Sequence, residues 1–452
     1  MKKILIACSI FAPDNEIAAV KTTKIAKYLL KSGYDVEVIT EKNTYSAFDD
    51  HLLKGIEKIK PLYVHPTKSY FILKKLYDKI ILPHKKKRFD DTTSKKRLRK
   101  NKETGLIETV PFETAYPFFG TIDYMMEIIK EKSLVKNAKK YIKEHKNDYD
   151  VCFSTYGRYF GHYIGEYIKK INPEVLWIAE FRDPVYNELF NAPPTRRHAE
   201  KFSENVYRKC DRITVISNGM KNLISEKYRD KTTVLTNGFD RDDKIQDTSF
   251  EKKDKFRFIY TGRMYGGVRK TQRLFEVIKE LSDENRIDIS DFEFHYAGTG
   301  FKIFESQAKV FGLEKNCVDH GFVSHKKAME LQENSDILIV STWEYKSQNV
   351  GVITGKVFEY MICEKPVIVL VNADFEDVEL VSLARRCNIG FAFNEYNLEK
   401  DFKDLKEYIV MQYNLFKEGK ELFYSPVAEE VEKYNYVNIT KQLVNIIESS
   451  DK

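Results

Sequence analysis

VGVITGKVFEYMICEKPVIV, residues 350–369, reads as a Gly-containing loop, a short helix from about Thr354 to Cys363, a turn at Glu364-Lys365-Pro366 and a buried strand. Gly351 and Gly355 let backbone approach a ligand with no Cβ in the way. A helix that starts there points unpaired N–H groups and a partial positive charge at whatever lies before it. Lys356 adds a full positive charge in the first turn, where the helix dipole disfavours it unless an anion is present. Glu359 follows one turn later, with a carboxylate suited to two hydroxyls of a sugar ring. Together these residues describe a pocket for a sugar-linked diphosphate. An i,i+3 ion pair of Lys356 and Glu359 on a solvated helix face is the competing reading.

Outward from this stretch, strands and helices alternate. KILIACS, a helix from Ala18 to Lys31 and YDVEVIT make a βαβ start, which implies a doubly wound parallel sheet. The first turn, FAPDNEIAAV, lacks a G-x-G-x-x-G fingerprint, against dinucleotide binding there. After a less regular section from Glu41 to Phe119 come YDVCFS, a helix near His162 to Lys170, VLWIAEF, a helix around Ala199 to Cys210, RITVIS and TTVLTNG. The polar run from Asp240 to Asp254 reads as a linker, and the pattern then restarts with FRFIYTG, FEFHYAG, CVDHGFV and DILIVST before the opening stretch. Two similar doubly wound units result, and ligands of such sheets bind beyond the carboxyl ends of the strands. The expected boundaries are residues 1–239, 240–425 and a C-terminal helical piece, 426–452, that packs back on the first unit. The expected site lies in a central cleft that the two units face.

Composition agrees. A chain of 452 residues is too long for one core. With 42% hydrophobic and 13% aromatic residues it belongs with folded globular proteins. No apolar run reaches the ~18 residues of a membrane span. The start, MKKILIACSIFAP, has the lysines and apolar run of a signal peptide but no small-residue cleavage site, so it reads as a first strand. The six cysteines are scattered without a CxxC pair, which suits reduced thiols of a cytosolic protein, and none has metal-ligand spacing.

The net charge of +7 is local in origin. Between Lys85 and Lys102 stand ten Lys or Arg against two Asp, a charge of +8 that leaves the rest of the chain near −1. Just before it, Tyr70 to Leu82 carries apolar residues at 72, 73, 76, 77, 80 and 81, a helical spacing. This excursion, about 66–105, reads either as an anchor on an anionic membrane surface, as a helix packed on the core, or as a solvated loop. No recognition motif accompanies the charge, so nucleic acid is not an expected partner.

FAPDNEIAAVKTTKIAKYLLKSGYDVEVIT, WIAEFRDP, ITVISNGM, VLTNGFD, IYTGR, HGFVSHKKAMEL and GKVFEYMICEKPVIV, in that order, resemble the retaining, nucleotide-sugar-dependent glycosyltransferases of family 4, in a subgroup of bacterial capsule, exopolysaccharide and lipopolysaccharide enzymes. The resemblance implies the GT-B fold, with an acceptor-binding first domain and a donor-binding second one. Glu359 matches the second Glu of the family's Glu-x7-Glu pair, which holds the donor ribose; the first Glu falls on Gly351, so Lys356 or a water stands in for that sugar contact. Arg263 matches the diphosphate-binding Arg. Its Lys partner falls on Arg269, with Lys270 adjacent, and two cations there neutralise charge on the leaving group. Gly262, Thr354 and Gly355 complete the donor loops, and Gly321 to Val323 match the position that reads the base. Arg182 and Asp183, after a buried strand, and His162, opening a helix, fall on the acceptor side; each also has a structural reading, as an ion pair and as a core histidine.

What the resemblance further implies is transfer with retention and without a metal or other cofactor, to a glycan or polyprenyl-linked acceptor, by a cytoplasmic enzyme peripheral on the inner face of the cell membrane. Gly351 in place of the first Glu leaves open a catalytically inactive partner or binding subunit of the same fold. A sugar-nucleotide epimerase is a further alternative.

Overall fold

The structure, a computed structural model, describes residues 1–14, 17–42, 48–90, 98–100, 107–109, 115–186, 191–244, 254–265, 269–345 and 353–450. It divides into two compact units. The first comprises Met1–Ile216, Met220–Leu235 and Thr440–Lys452, the second Ser217–Gly219 and Thr236–Ile439.

The first unit is built on seven parallel strands, β1 (Lys3–Cys8), β2 (Asp35–Glu41), β3 (Leu62–Val64), β6 (Val151–Tyr156), β7 (Leu176–Phe181), β8 (Arg212–Val215) and β9 (Thr232–Val234), in the order β3-β2-β1-β6-β7-β8-β9. Leu98–Lys100 (β4) and Ile107–Thr109 (β5) form a separate antiparallel pair. Strand β1 is buried because KILIAC is a continuous apolar run flanked by strands on both sides, with Leu5 opposite Glu37 and Cys152. Helix α1 (Ile17–Lys31) follows β1. Helix α2 (Lys68–Asp90) contains Pro83 and leans on α3 (Pro117–Glu144). The 28-residue α3 falls where the sequence shows no single helical stripe. It packs against both α2 and α4 (Phe160–Ile171), so its buried residues, among them Ile128, Leu134, Ala138 and Ile142, share the surface with polar contacts to a second helix.

One of those polar contacts is buried. Glu131 of α3 is 0% exposed, and its Oε2 accepts the N–H of Phe160 at the start of α4 (2.6 Å). Burial, reinforced by the nearby carboxylates Glu127 and Glu41, pushes its carboxyl up to about 8 against the pull of Lys130 and Arg158. Between the ordinary carboxyl range and pH 8 the folded chain therefore binds a proton that the unfolded chain has released, and stability falls as pH rises, by up to about 1.4 kcal/mol per unit. Thermal melts between pH 5 and 8 should show this slope in the wild type and a flatter one in Glu131→Gln; parallel slopes would mean that Glu131 does not titrate there.

The second unit has six parallel strands, β10 (Phe256–Thr261), β11 (Phe292–Ala297), β12 (Cys317–Asp319), β13 (Ile337–Tyr345), β14 (Val367–Ala373) and β15 (Gly390–Asn394), in the order β12-β11-β10-β13-β14-β15. Helices lie in two layers against it. Phe258, Phe275, Phe292 and Phe294 pack on one face, and Val357, Phe358 and Met361 on the other. The strand order reverses between β10 and β13, the place where open parallel sheets bind their ligands. All six cysteines are unpaired, and all but Cys317 are buried.

Candidate functional site

Three loops at the carboxyl ends of β10, β11 and β12 are stitched together by their backbones. Gly262 donates its N–H to the Ala297 carbonyl (2.8 Å), and Gly298 donates to the Gly321 carbonyl (2.8 Å). Gly262 (φ +140°) and Gly298 (φ +145°) sit where an L side chain is strained, and a Cβ on Gly298 would lie 2.0 Å from the Gly262 carbonyl oxygen. The Tyr296 hydroxyl closes the same turn on the carbonyls of Gly262 and Thr299, at 2.7 Å each.

Into this turn come two cations. The open side of Gly262 is lined by Lys356 and Arg269: a Cβ built there would be 2.9 Å from Lys356 Cε and 3.7 Å from Arg269 Nη1. Arg269 is only 8% exposed. Its Nη1 donates to the Tyr260 hydroxyl (2.9 Å), which in turn donates to the Arg263 carbonyl (3.2 Å). The guanidinium also lies over the Tyr265 ring, 4.8 Å from its centroid. Its Nε is buried and has no hydrogen-bond partner among the described residues. A buried donor left so costs roughly 1–3 kcal/mol, which a ligand oxygen would recover. The segment is fixed from both sides, since Gln307 donates to the Arg269 carbonyl (3.1 Å) and Ser341 to that of Lys270 (2.8 Å).

Lys356 opens helix α10 (Lys356–Cys363), with Gly355 at its N-cap. The helix is stopped by Glu364, left-handed at φ +52°, ahead of Pro366. The sequence placed its start about two residues earlier, at Thr354. Glu359, in the first turn, is held from three directions: Gln332 Nε2 donates to its Oε1, Lys356 Nζ lies 3.8 Å and His325 Nε2 3.9 Å from its Oε2. Burial alone raises its carboxyl, but Lys356, His325 and Gln332 outweigh that and leave it below its ordinary value, so it is a carboxylate at neutral pH. Gln332, on α9 (His325–Glu333), also donates to Thr261 Oγ1 (3.0 Å), which ties the Glu359 carboxylate to the end of β10.

The donor-side residues Gly262 and Arg269, read from one stretch, and Lys356 and Glu359, read from another, thus meet at the β10–β13 reversal, with Thr354 and Gly355 leading into α10. Arg263 is exposed, and only its carbonyl takes part in the network. Lys270 contributes its carbonyl. Gly321, at φ +64°, joins the stitched loops and Val323 is partly exposed beyond it. Gly351 lies outside the described residues. Tyr260, Gln307, Gln332 and His325 escaped the sequence reading: Tyr260 and His325 lie inside the quoted stretches IYTGR and HGFVSHKKAMEL without being singled out, and Gln307 and Gln332 stand in none.

On the first unit the picture differs. His162 is 0% exposed. The Trp177 indole N–H donates to Ser154 Oγ (2.7 Å), and the same hydroxyl hydrogen-bonds His162 Nδ1 (2.8 Å). Burial, helped by the charge of Arg182, pushes the imidazole down to about 3. The acceptor-side expectation for His162 is corrected accordingly: it is a neutral core histidine sealed from solvent. Arg182, 7% exposed, spends its guanidinium on the carbonyls of Tyr156 (3.2 Å) and Ala18 (2.5 Å) and on Thr155 Oγ1 (3.3 Å). It braces the start of α1 against the end of β6. Its closest carboxylate is Glu180, at 3.8 Å, and Asp183 is exposed. Glu180 itself forms a fully buried pair with Lys21 of α1 (2.6 Å), whose Nζ also donates to the Leu235 carbonyl (2.6 Å). Neither Lys21 nor Glu180 was singled out in the sequence.

No curated protein matches the sequence. Among solved structures, the chain is similar to the lipopolysaccharide outer core galactosyltransferase WaaB in its apo form (14% identity, all of both chains, TM-score 0.54). It is also similar to sucrose-phosphate synthase from Thermosynechococcus elongatus (11% identity, 100% of this chain and 99% of that one, TM-score 0.58). A third is a TarM mutant of S. aureus in complex with Fondaparinux, alpha-GlcNAc-glycerol and UDP (14% identity, 99% and 100%, TM-score 0.53). At these identities the likeness speaks for the fold. Residues 255–382 match the family model Glycosyl transferases group 1. The chain therefore has two Rossmann-like parallel-sheet units of the GT-B fold, and the stretch similar to the Glycosyl transferases group 1 model lies in the second.

Proposed function

We propose that the protein is a retaining glycosyltransferase that takes a sugar from a nucleotide-sugar donor to a glycan or lipid-linked glycan in the synthesis of a bacterial surface polysaccharide. The observation that supports this best is the meeting of Lys356 and Arg269 around Gly262, with the Arg269 Nε that has no partner among the described residues and the ionised Glu359 beside them. The family match over 255–382 and the UDP named in the TarM complex point the same way. In this reading the diphosphate lies over Gly262 between the two cations and Glu359 takes the ribose hydroxyls. The bond from the anomeric carbon to the diphosphate oxygen breaks, a bond to the acceptor hydroxyl forms on the same face, and the leaving phosphate takes the hydroxyl proton. The chain's own part is to hold the diphosphate and stabilise its growing charge.

Nucleoside diphosphates are expected to raise the melting temperature. If UDP, GDP and ADP all fail to do so, the donor-site assignment is wrong. Glu359→Ala should weaken the nucleotide that binds by about 1–3 kcal/mol, the cost of losing charged hydrogen bonds, as read by calorimetric titration. Gly351, where the family has a Glu, favours the second reading, an inactive binding subunit. Nucleotide binding without turnover on a panel of nucleotide sugars and lipid extract would select it.

A further inference from the structure

Helix α2 turns its apolar side the wrong way for a core helix. Its inner face is set by Tyr70, 8% exposed, and by Tyr77 and Lys85, both of which bond to Asp123 of α3. Of the six apolar positions that the sequence places on one stripe, Tyr77 and Ile81 are half-buried, whereas Ile72 (63%), Leu73 (43%), Leu76 (51%) and Ile80 (55%) are exposed. At 100° per residue these four span roughly 100° of the outer surface. The neighbouring sector of the same face carries Lys68, Lys75, Lys79 and Lys86, all exposed and none held by a carboxylate among the described residues. The one acid between Lys68 and Lys87 is Asp78, which is already paired with Lys74. The sequence segment of charge +8 begins at Lys85, in the last turns of the helix, and runs on past its end to Lys102.

We propose that the outer face of α2 docks on an anionic lipid surface, with Ile72, Leu73, Leu76 and Ile80 entering the headgroup–acyl boundary and the flanking lysines reaching lipid phosphates. An apolar stripe bordered by lysines on a helix lying parallel to the surface is the arrangement that interfacial helices use, because the lysine stems lie along apolar matter while their heads stay with the phosphates. A second copy of the chain is a poor occupant, since it would set the same lysines against one another. No helix among the described residues is long and apolar enough to cross a membrane, so binding through this face is peripheral. The proposal does not depend on the transferase reading, and nucleotide binding reports on that reading separately.

The test is co-sedimentation of the full chain with vesicles. Binding is expected on vesicles containing phosphatidylglycerol, with little on pure phosphatidylcholine, and it should weaken as salt screens the lysines. Leu76→Glu/Ile80→Glu should lower partitioning roughly tenfold or more, and Lys75→Gln/Lys79→Gln several-fold, with the melting temperature and its nucleotide-induced rise unchanged in both. Because the four positions are exposed, a fold defect would be visible in that melt, and the lysine pair then decides alone. No binding to anionic vesicles at low salt, or equal binding by wild type and both variants, overturns the proposal. So does a wild-type dimer in sedimentation velocity that Leu76→Glu/Ile80→Glu dissolves without any vesicle binding, which would make the stripe an interface between copies.

Discussion

Glu180→Gln is expected to cost the fold about 3–5 kcal/mol, the loss seen when one partner of a buried ion pair is removed. Lys21 and Glu180 are both 0% exposed, and Arg182, 7% exposed, lies 3.8 Å from the same carboxylate. Among the described residues Glu180 is thus the carboxylate within 4 Å of both buried cations, and an amide in its place leaves Lys21 without its ion-pair partner. Burial lowers the Lys21 ammonium below its ordinary 10.5, as does Arg182, while Glu180 pulls it back up. Without Glu180 that restraint is gone. The folded state then binds fewer protons at Lys21 than the unfolded state does, so the variant should regain stability as pH rises toward 10.5. Lys21→Met should cost less, because Glu180 keeps Arg182 as a partner. The double variant Lys21→Met/Glu180→Gln should be more stable than Glu180→Gln alone, a coupling that contact pairs show and distant ones do not. Denaturant melts of the four proteins decide it; a single Glu180→Gln variant that melts with the wild type would show that the pair carries no net stability.

That pair also marks where reading the sequence stops. Parallel strands announce themselves by short apolar runs such as KILIAC and VIVLV, so the strands and the two-unit division are within reach of pattern alone, whereas the strand order is not. The donor side is legible for a related reason. Gly262, Arg269, Lys356 and Glu359 each follow the end of a strand or open a helix, and residues at those places have little choice of where to point. Lys21, by contrast, stands among Lys24 and Lys27 on α1, where three lysines at helical spacing read as a solvated face; all three are buried. Its partner is remote in sequence, as Gln332 is from Glu359 and Tyr260 from Arg269, and no local pattern carries such a pairing. The exposed side of α2 was hidden differently. Apolar spacing shows that a stripe exists and says nothing of which side the rest of the protein occupies. Only the contacts of Tyr77 and Lys85 with Asp123 settle that the stripe faces out.

Lys356→Met should lower turnover of the nucleotide sugar by about 10²–10³-fold, the usual cost of removing one preorganised charge from a developing anion, while leaving the melting temperature close to that of the wild type. The two effects separate because of where Lys356 stands. Its ion pair with Glu359 is long, 3.8 Å, and part-exposed, at 21% and 20%, and such pairs contribute at most about 1 kcal/mol to folding. The helix dipole at the start of α10 opposes a cation there, which offsets even that. An anion over Gly262 reverses the balance, and the lysine then acts on the ligand. Gly262→Ala is the companion, reaching the same group without removing a charge. Its methyl would press on Lys356 Cε at 2.9 Å, on the far part of a flexible side chain, and the residue would hold φ +140° under strain. The expected result is a rate loss in the same direction, now with a lower melting temperature. Arg269→Met combined with Lys356→Met should lose less than the product of the single losses, because both cations face the same charge. Steady-state rates and thermal melts of the set distinguish the readings. Should Lys356→Met keep its rate and lose stability, the lysine serves only its ion pair with Glu359, and the diphosphate lies elsewhere.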